Sequence, residues 1–164
     1  MISKILFSGT GGQGIQLASR LFAQACMQEN FNVSLIPSYG AEMRGGNTTC
    51  NVVISDEIIP SPIFDKATHA LLLSQGAFNA FKDSLEEGGM LVFENSIKSD
   101  SLPKNISVIK LNSIEIADKE IGNMKFLNMV ALGAFIKATN MIKLKSLETA
   151  LIEIVGEKNK EVID

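Results

Sequence analysis

Two glycine-rich segments hold the residues whose types and spacing can do chemistry. The first, Gly9-Thr10-Gly11-Gly12-Gln13-Gly14, has the G-x-G-x-x-G spacing and stands between a short apolar run and a stretch with helical periodicity. Glycines there permit positive φ and close backbone approach, and the amides at the start of the following helix can bind a phosphate or carboxylate. The same glycines also serve plain helix-to-strand packing, and the spacing alone leaves both roles open. The second segment, Ser38-Tyr39-Gly40-Ala41-Glu42-Met43-Arg44-Gly45-Gly46-Asn47, contains the chain's only tyrosine. Arg44 offers a planar five-donor fork for a carboxylate or phosphate and Glu42 can orient it, while a Glu42 to Arg44 pair that merely pins the loop is an equal reading.

A nicotinamide dinucleotide site needs an acidic residue at the end of the second strand to hold the ribose hydroxyls. That strand ends Leu35-Ile36-Pro37-Ser38, with Glu29 before it and Glu42 in the loop beyond, so the acid is missing where it is required. His69 has no neighbouring Ser, Cys or carboxylate arranged as a relay, and reads as structural. Cys26 and Cys50 are too few for an iron-sulfur or zinc site and read as small apolar residues, as the methionines read as gap fillers.

The elements that must position the two loops follow from periodicity. Lys4 to Ser8 is a strand, Ile15 to Gln28 a helix, and Asn32 to Ile36 a second strand closed by Pro37, giving a β-α-β unit from which the sheet begins parallel. Thr48 to Ser55 alternates as a strand, and Asp56-Glu57 can turn it so that Ile58-Ile59 returns as an edge hairpin. Ala70 to Leu73 is a buried strand leading into a helix from Gly76 to Glu86, which Gly88-Gly89 terminates before a strand from Met90 to Phe93. Ile106 to Leu111 is a further strand, and helices follow at Ile114 to Lys119, about Lys125 to Thr139, and Lys145 to Val155. The segment FLNMVALGAFIKA from Phe126 is apolar on nearly every side, which makes it either central or an interface. The fold class is α/β, a Rossmann-like three-layer domain with a mostly parallel sheet and an antiparallel edge hairpin, spanning residues 1–164.

Composition narrows the function classes. Apolar residues make up 46% of the chain, which suits a subunit with a buried face, and self-association of the isolated chain as a homodimer is compatible with it. Fifteen basic against eighteen acidic residues, with no Lys/Arg block, disfavour nucleic acid as a partner. No apolar run reaches the roughly 18 residues of a membrane span and the N-terminus enters a strand without a signal-peptide pattern, so a cytoplasmic location is expected.

GTGGQGI at Gly9 to Ile15, PSYGAEMRGGN at Pro37 to Asn47, ISDEIIPSP at Ile54 to Pro62 and NMVALGA at Asn128 to Ala134 together resemble the gamma subunit of 2-oxoacid:ferredoxin oxidoreductases, in order along nearly the whole chain. The resemblance implies an enzyme that oxidises a 2-oxoacid to an acyl-CoA and sends electrons to ferredoxin or flavodoxin. It implies alpha, beta and delta subunits that carry thiamine diphosphate, Mg2+ and iron-sulfur clusters, with none of these groups held by this chain, and coenzyme A as co-substrate. Gly11, Gly12, Gln13 and Gly14 match the family's first loop, and Tyr39, Glu42, Arg44, Gly45 and Gly46 its second; their implied task is to help enclose the active site and the CoA region, with no catalytic side chain of their own. The SYG-x-EMRGG form with a cysteine in the next strand is most similar to the 2-oxoglutarate type. The chain stops at Asp164, soon after its last helix, where similar chains continue, so a shortened docking tail is expected. The rival class is a stand-alone Rossmann-like module that binds a nucleotide or anion.

Overall fold

The computed structural model describes residues 1–39 and 46–156. Six strands form one sheet in the order β2-β3-β1-β4-β5-β6: β1 Ile2–Thr10, β2 Asn32–Tyr39, β3 Asn47–Ser55, β4 Ala67–Leu72, β5 Leu85–Glu94 and β6 Ser107–Leu111. β1, β4, β5 and β6 are mutually parallel, while β3 runs antiparallel between β1 and β2. The helices are α1 Ile15–Gln28, α2 Gln75–Phe81, the single turn α3 Ser113–Glu115, α4 Leu127–Thr139 and α5 Leu144–Val155; a π-turn, Ile116–Glu120, extends α3.

Side-chain alternation along the strands sorts the core into two layers. Ile5, Phe7, Cys50, Val52, Ile54, Leu71 and Val92 face α1, α4 and α5. There Phe7, Phe22 and Phe135 meet as a triad with ring centroids 5.5 to 6.0 Å apart, in the tilted and edge-on arrangements aromatic quadrupoles favour. Leu6, Ala70, Leu72, Leu91 and Phe93 face the other way and pack on α2 through Ala77 and Phe78. The arrangement is the expected α/β sandwich of helices on both faces of a largely parallel sheet.

The antiparallel edge hairpin is present, but its strands are β2 and β3. Ile58 is 88% exposed and lies in no strand, so Asp56-Glu57 turns nothing back. β1 and β2 do share a direction, yet β3 lies between them, and the sheet does not begin with a parallel pair. Pro37 is accommodated because β2 is the outer strand, where a residue without an N–H costs no ladder bond on its free side. The second correction lies after α2, which ends at Phe81 and not at Glu86. Gly88 and Gly89 are part of β5. A Cβ on Gly89 would stand 2.9 Å from the carbonyl oxygens of both Glu86 and Thr68, at the place where the β4 to β5 register shifts, so the glycine marks a close backbone approach and not a helix stop.

α4 answers the choice between central and interfacial. Leu127, Asn128, Ala131, Leu132, Phe135 and Ile136 are buried against α1 and the sheet, and the remaining apolar residues, Val130 and Ala134 among them, are half-buried.

Candidate functional site

The carboxyl ends of β1, β4, β5 and β6 lie along one edge of the sheet, the side on which open α/β sheets bind ligands. At that edge β1 breaks into a tight turn: the Gln13 N–H donates to the Thr10 carbonyl at 3.1 Å, and Gly12 takes φ +94° at the third position, where a side chain would be strained. Gly14 then enters α1 in the left-handed region, with φ 73° and ψ 23°.

The four glycines of this turn have different reasons to be glycine. A Cβ on Gly9 would fall 2.6 Å from Gln13 Oε1, and one on Gly14 would fall 2.3 Å from Asn128 Nδ2. Among the described residues a Cβ on Gly11 would meet only Thr48 Oγ1 at 3.9 Å, and one on Gly12 would meet nothing within 4 Å. The flanks of the turn are therefore filled from inside the protein, while its crown is bare and exposed.

Gln13 uses both ends of its amide within the fold. Its Oε1 accepts from the Thr10 N–H at 2.7 Å, and its Nε2 donates to the Leu73 carbonyl at 3.0 Å, tying the end of β1 to the residue after β4. Gln13 thus positions the turn, and the atoms left open to a ligand belong to the backbone. Gly14 supplies no side-chain cap to α1, and no acidic residue stands in the helix's first turn. The first-turn amides and the positive end of the helix dipole are accordingly available to an anion.

The second segment reaches the same corner. Tyr39 ends β2 opposite Thr48, Asn47 pairs with Thr10, and the Gly46 carbonyl accepts from the Gly11 N–H at 3.4 Å. Glu42, Arg44 and Gly45 lie outside the described residues, as does the proposed Glu42 to Arg44 pairing. The structure therefore brings Gly11, Gly12, Gln13, Gly14 and Gly46 together, with the backbone of Tyr39 ending the neighbouring strand.

Three polar residues at this edge escaped the reading of the sequence. Ser8 is fully buried and bonds the Thr48 carbonyl at 3.2 Å and the Thr49 hydroxyl at 3.1 Å. Glu94, 2% exposed at the end of β5, accepts from the Ser113 N–H at 3.0 Å, from the Ser113 hydroxyl and from the Ile114 N–H at 3.3 Å, so it caps α3. Asn128, at the start of α4, donates to the Gly14 carbonyl at 3.2 Å. Its signal lay in the NMVALGA segment, but nothing local ties that segment to a turn 114 residues away.

Cys26, Cys50 and His69 are embedded in the fold. Burial pushes the Cys26 thiol up to about 12, with Glu29 adding to the shift, and burial also raises Cys50, so neither supplies a thiolate nucleophile at neutral pH. His69 hydrogen-bonds the Thr68 hydroxyl at 2.9 Å and meets the Phe135 ring edge-on, and its partial burial lowers its pKa. Among the described residues no three of His, Cys, Asp and Glu gather where they could hold a metal ion, and no helix is long and apolar enough to cross a membrane.

Comparison with known proteins decides the family. The model of the pyruvate ferredoxin/flavodoxin oxidoreductase family matches residues 4–164. The chain belongs to that family. Within it, the chain is 39% identical over 137 residues to 2-oxoglutarate synthase subunit KorC of Methanocaldococcus jannaschii, covering 82% of this chain and 73% of that one. It superposes on the gamma subunit of a keto/oxoacid ferredoxin oxidoreductase from Geobacter sulfurreducens with TM-score 0.86 and 30% identity, covering 99% of this chain and 90% of the other. It also matches, with TM-score 0.88 and 25% identity, a 2-oxoglutarate:ferredoxin oxidoreductase from Magnetococcus marinus whose structure holds 2-oxoglutarate, coenzyme A and succinyl-CoA. There, 99% of this chain covers only 28% of a longer polypeptide, so in that relative the same fold is one part of a larger chain. Family members of this kind are subunits of 2-oxoacid:ferredoxin oxidoreductases.

Proposed function

We propose that this chain acts as one gamma-type domain, residues 1–164, of a cytoplasmic 2-oxoglutarate:acceptor oxidoreductase, and that its bare glycine turn walls the part of the active site that receives coenzyme A. The carrying observation is the crown of the turn, Gly11-Gly12, exposed at the ligand edge beside an uncapped helix start and joined to Gly46 of the second loop. Backbone amides and a helix dipole suit a phosphate of CoA, and Arg44, two residues before Gly46, supplies a guanidinium of the right chemistry. The 2-oxoglutarate preference rests on the KorC relative and on the contents of the Magnetococcus marinus structure.

The two cysteines of this chain do not fit an iron-sulfur cluster. Both cysteines are buried in the core layer that faces α1, and among the described residues no carboxylate and imidazole cluster could replace them. We assign thiamine diphosphate with Mg2+ and the iron-sulfur clusters to alpha, beta and delta partners, with ferredoxin or flavodoxin as electron acceptor, as the family resemblance implies. What this domain contributes is shape, fixed dipoles and exclusion of water around the reacting groups.

The test is reconstitution. The purified chain alone shows no 2-oxoglutarate oxidation and restores CoA-dependent acceptor reduction when mixed with its partner subunits. In that complex Gly11→Ala, which meets no atom closer than 3.9 Å, keeps the fold and raises KM for CoA by about fivefold or more, because a methyl stands where the ligand approaches. An unchanged KM for CoA removes the turn from the site. Tight binding of a nicotinamide dinucleotide by the isolated chain replaces the whole reading with the stand-alone nucleotide module.

A further inference from the structure

The third glycine of a nucleotide-binding turn is ordinarily explained by helix-to-strand packing. Here the space beside Gly14 is filled by a buried polar side chain from a distant helix: Asn128, 4% exposed, with Nδ2 3.2 Å from the Gly14 carbonyl. That carbonyl also accepts the first helical bond of α1, from the Ala18 N–H at 3.0 Å. Gly14 is the residue whose φ of 73° aims the Gln13 to Gly14 peptide, so relaxation of that angle to a negative value would swing the Gly14 N–H away from the crown of the turn. Gln13 holds the other flank through Thr10 and Leu73. Asn128 is the only side chain among the described residues that hydrogen-bonds the Gly14 carbonyl, and it comes from the first turn of α4.

Resting on the CoA-facing reading of the turn, we infer that Asn128 is a positioning residue for CoA: it anchors the Gly14 carbonyl, the fixed end from which the left-handed φ of Gly14 aims the preceding peptide, and so presets the amides at the start of α1 for the anionic ligand. Preset dipoles bind without the cost of ordering the loop at each encounter, which places the effect of the lock on affinity and not on the chemical step.

The experiment uses the reconstituted complex carrying Asn128→Asp or Asn128→Ala. The first keeps the side-chain volume but sets a carboxylate oxygen against the Gly14 carbonyl, and the second removes the donor altogether. Both variants are expected to raise KM for CoA about fivefold to tenfold, the loss of one buried hydrogen bond, with kcat at saturating CoA held within about twofold. Hydrogen exchange on the same complexes is expected to quicken at residues 12–18 and to stay unchanged in the rest of the sheet. An unchanged KM in both variants, while Gly11→Ala raises it, overturns the lock and leaves the CoA-facing turn standing. An unchanged KM in all three overturns the CoA-facing turn, and the lock with it. Failure of both Asn128 variants to fold or assemble also overturns the inference, because the residue would then hold the domain and not the turn.

Discussion

The flanks and the crown of one turn, five residues apart at most, obey opposite rules. At the flanks, Gly9 and Gly14 lack side chains because Gln13 and Asn128 already occupy the space. At the crown, Gly11 and Gly12 lack side chains although no atom of the described residues competes for the room. The contrast separates two meanings of a glycine that share one letter in the sequence: internal close packing, which is a debt to the fold, and an open crown, which the positive φ of Gly12 requires and which leaves room for something to approach from outside.

The largest break in that contrast is expected at Gly14. Gly14→Ala forces a methyl into Asn128 and holds alanine at φ 73°, so overpacking and left-handed strain add to a destabilisation of about 3 kcal/mol. Thermal unfolding of the isolated chain would show it as a fall in Tm of about 10 °C. The same substitution in an Asn128→Ala background removes the two contacts under 3 Å, keeps a Cβ at 3.2 Å and leaves the strain, so its cost should drop to about 1.5 kcal/mol, and the double-mutant cycle reads the coupling directly. Equal costs in both backgrounds would mean that Asn128 does not fill the flank.

Gly9→Ala comes next. Its Cβ meets the end of a flexible side chain, Gln13 Oε1, and the tip of Ile15 at 3.0 Å, so the structure can yield by swinging Gln13 outward. That movement breaks the bonds to the Thr10 N–H and the Leu73 carbonyl, for an expected loss of about 2 kcal/mol. In a Gln13→Ala background, which has already lost those bonds, Gly9→Ala should cost well under half as much; full additivity would show that the clamp is not what Gly9 makes room for.

This distinction between flank and crown was not legible in the sequence. What could be read was local: the apolar run Lys4 to Ser8, the glycine cluster, the helical spacing from Ile15, and the fold class they belong to. Nearest-neighbour pattern could not order the strands. Alternation identified Thr48 to Ser55 as a strand, but its insertion between β1 and β2 depends on two antiparallel ladders whose partners lie up to 53 residues apart, Ile2 with Ser55 and Thr10 with Asn47 among them. Gly88-Gly89 misled for a related reason, since glycine after a helical stretch has the same local appearance whether it caps a helix or lets Thr68 of another strand come close. The candidate site was legible as a list of segments, GTGGQG and PSYGAEMRGGN, and even as a pair, yet the residue that holds the first of them sits in α4 and announced itself only as part of an apolar helix.

The smallest effect, and the one that tests the crown itself, belongs to Gly12. Its backbone stands at φ +94° with no atom of the described residues near a built Cβ, so Gly12→Ala carries conformational strain and no clash with them, for about 1 kcal/mol or a fall of roughly 3 °C in Tm. Asparagine tolerates positive φ better than alanine does, as Asn30, Asn105 and Asn140 do elsewhere in this chain, so Gly12→Asn should recover part of that loss despite its larger side chain. A flank position would show the reverse order, with the larger residue worse. If Gly12→Asn proves as damaging to the isolated chain as Gly14→Ala, the crown is filled from within and its vacancy no longer points to a ligand. If Gly12→Asn is the milder change in the isolated chain yet raises KM for CoA in the complex, the space is empty in the domain and used in the enzyme.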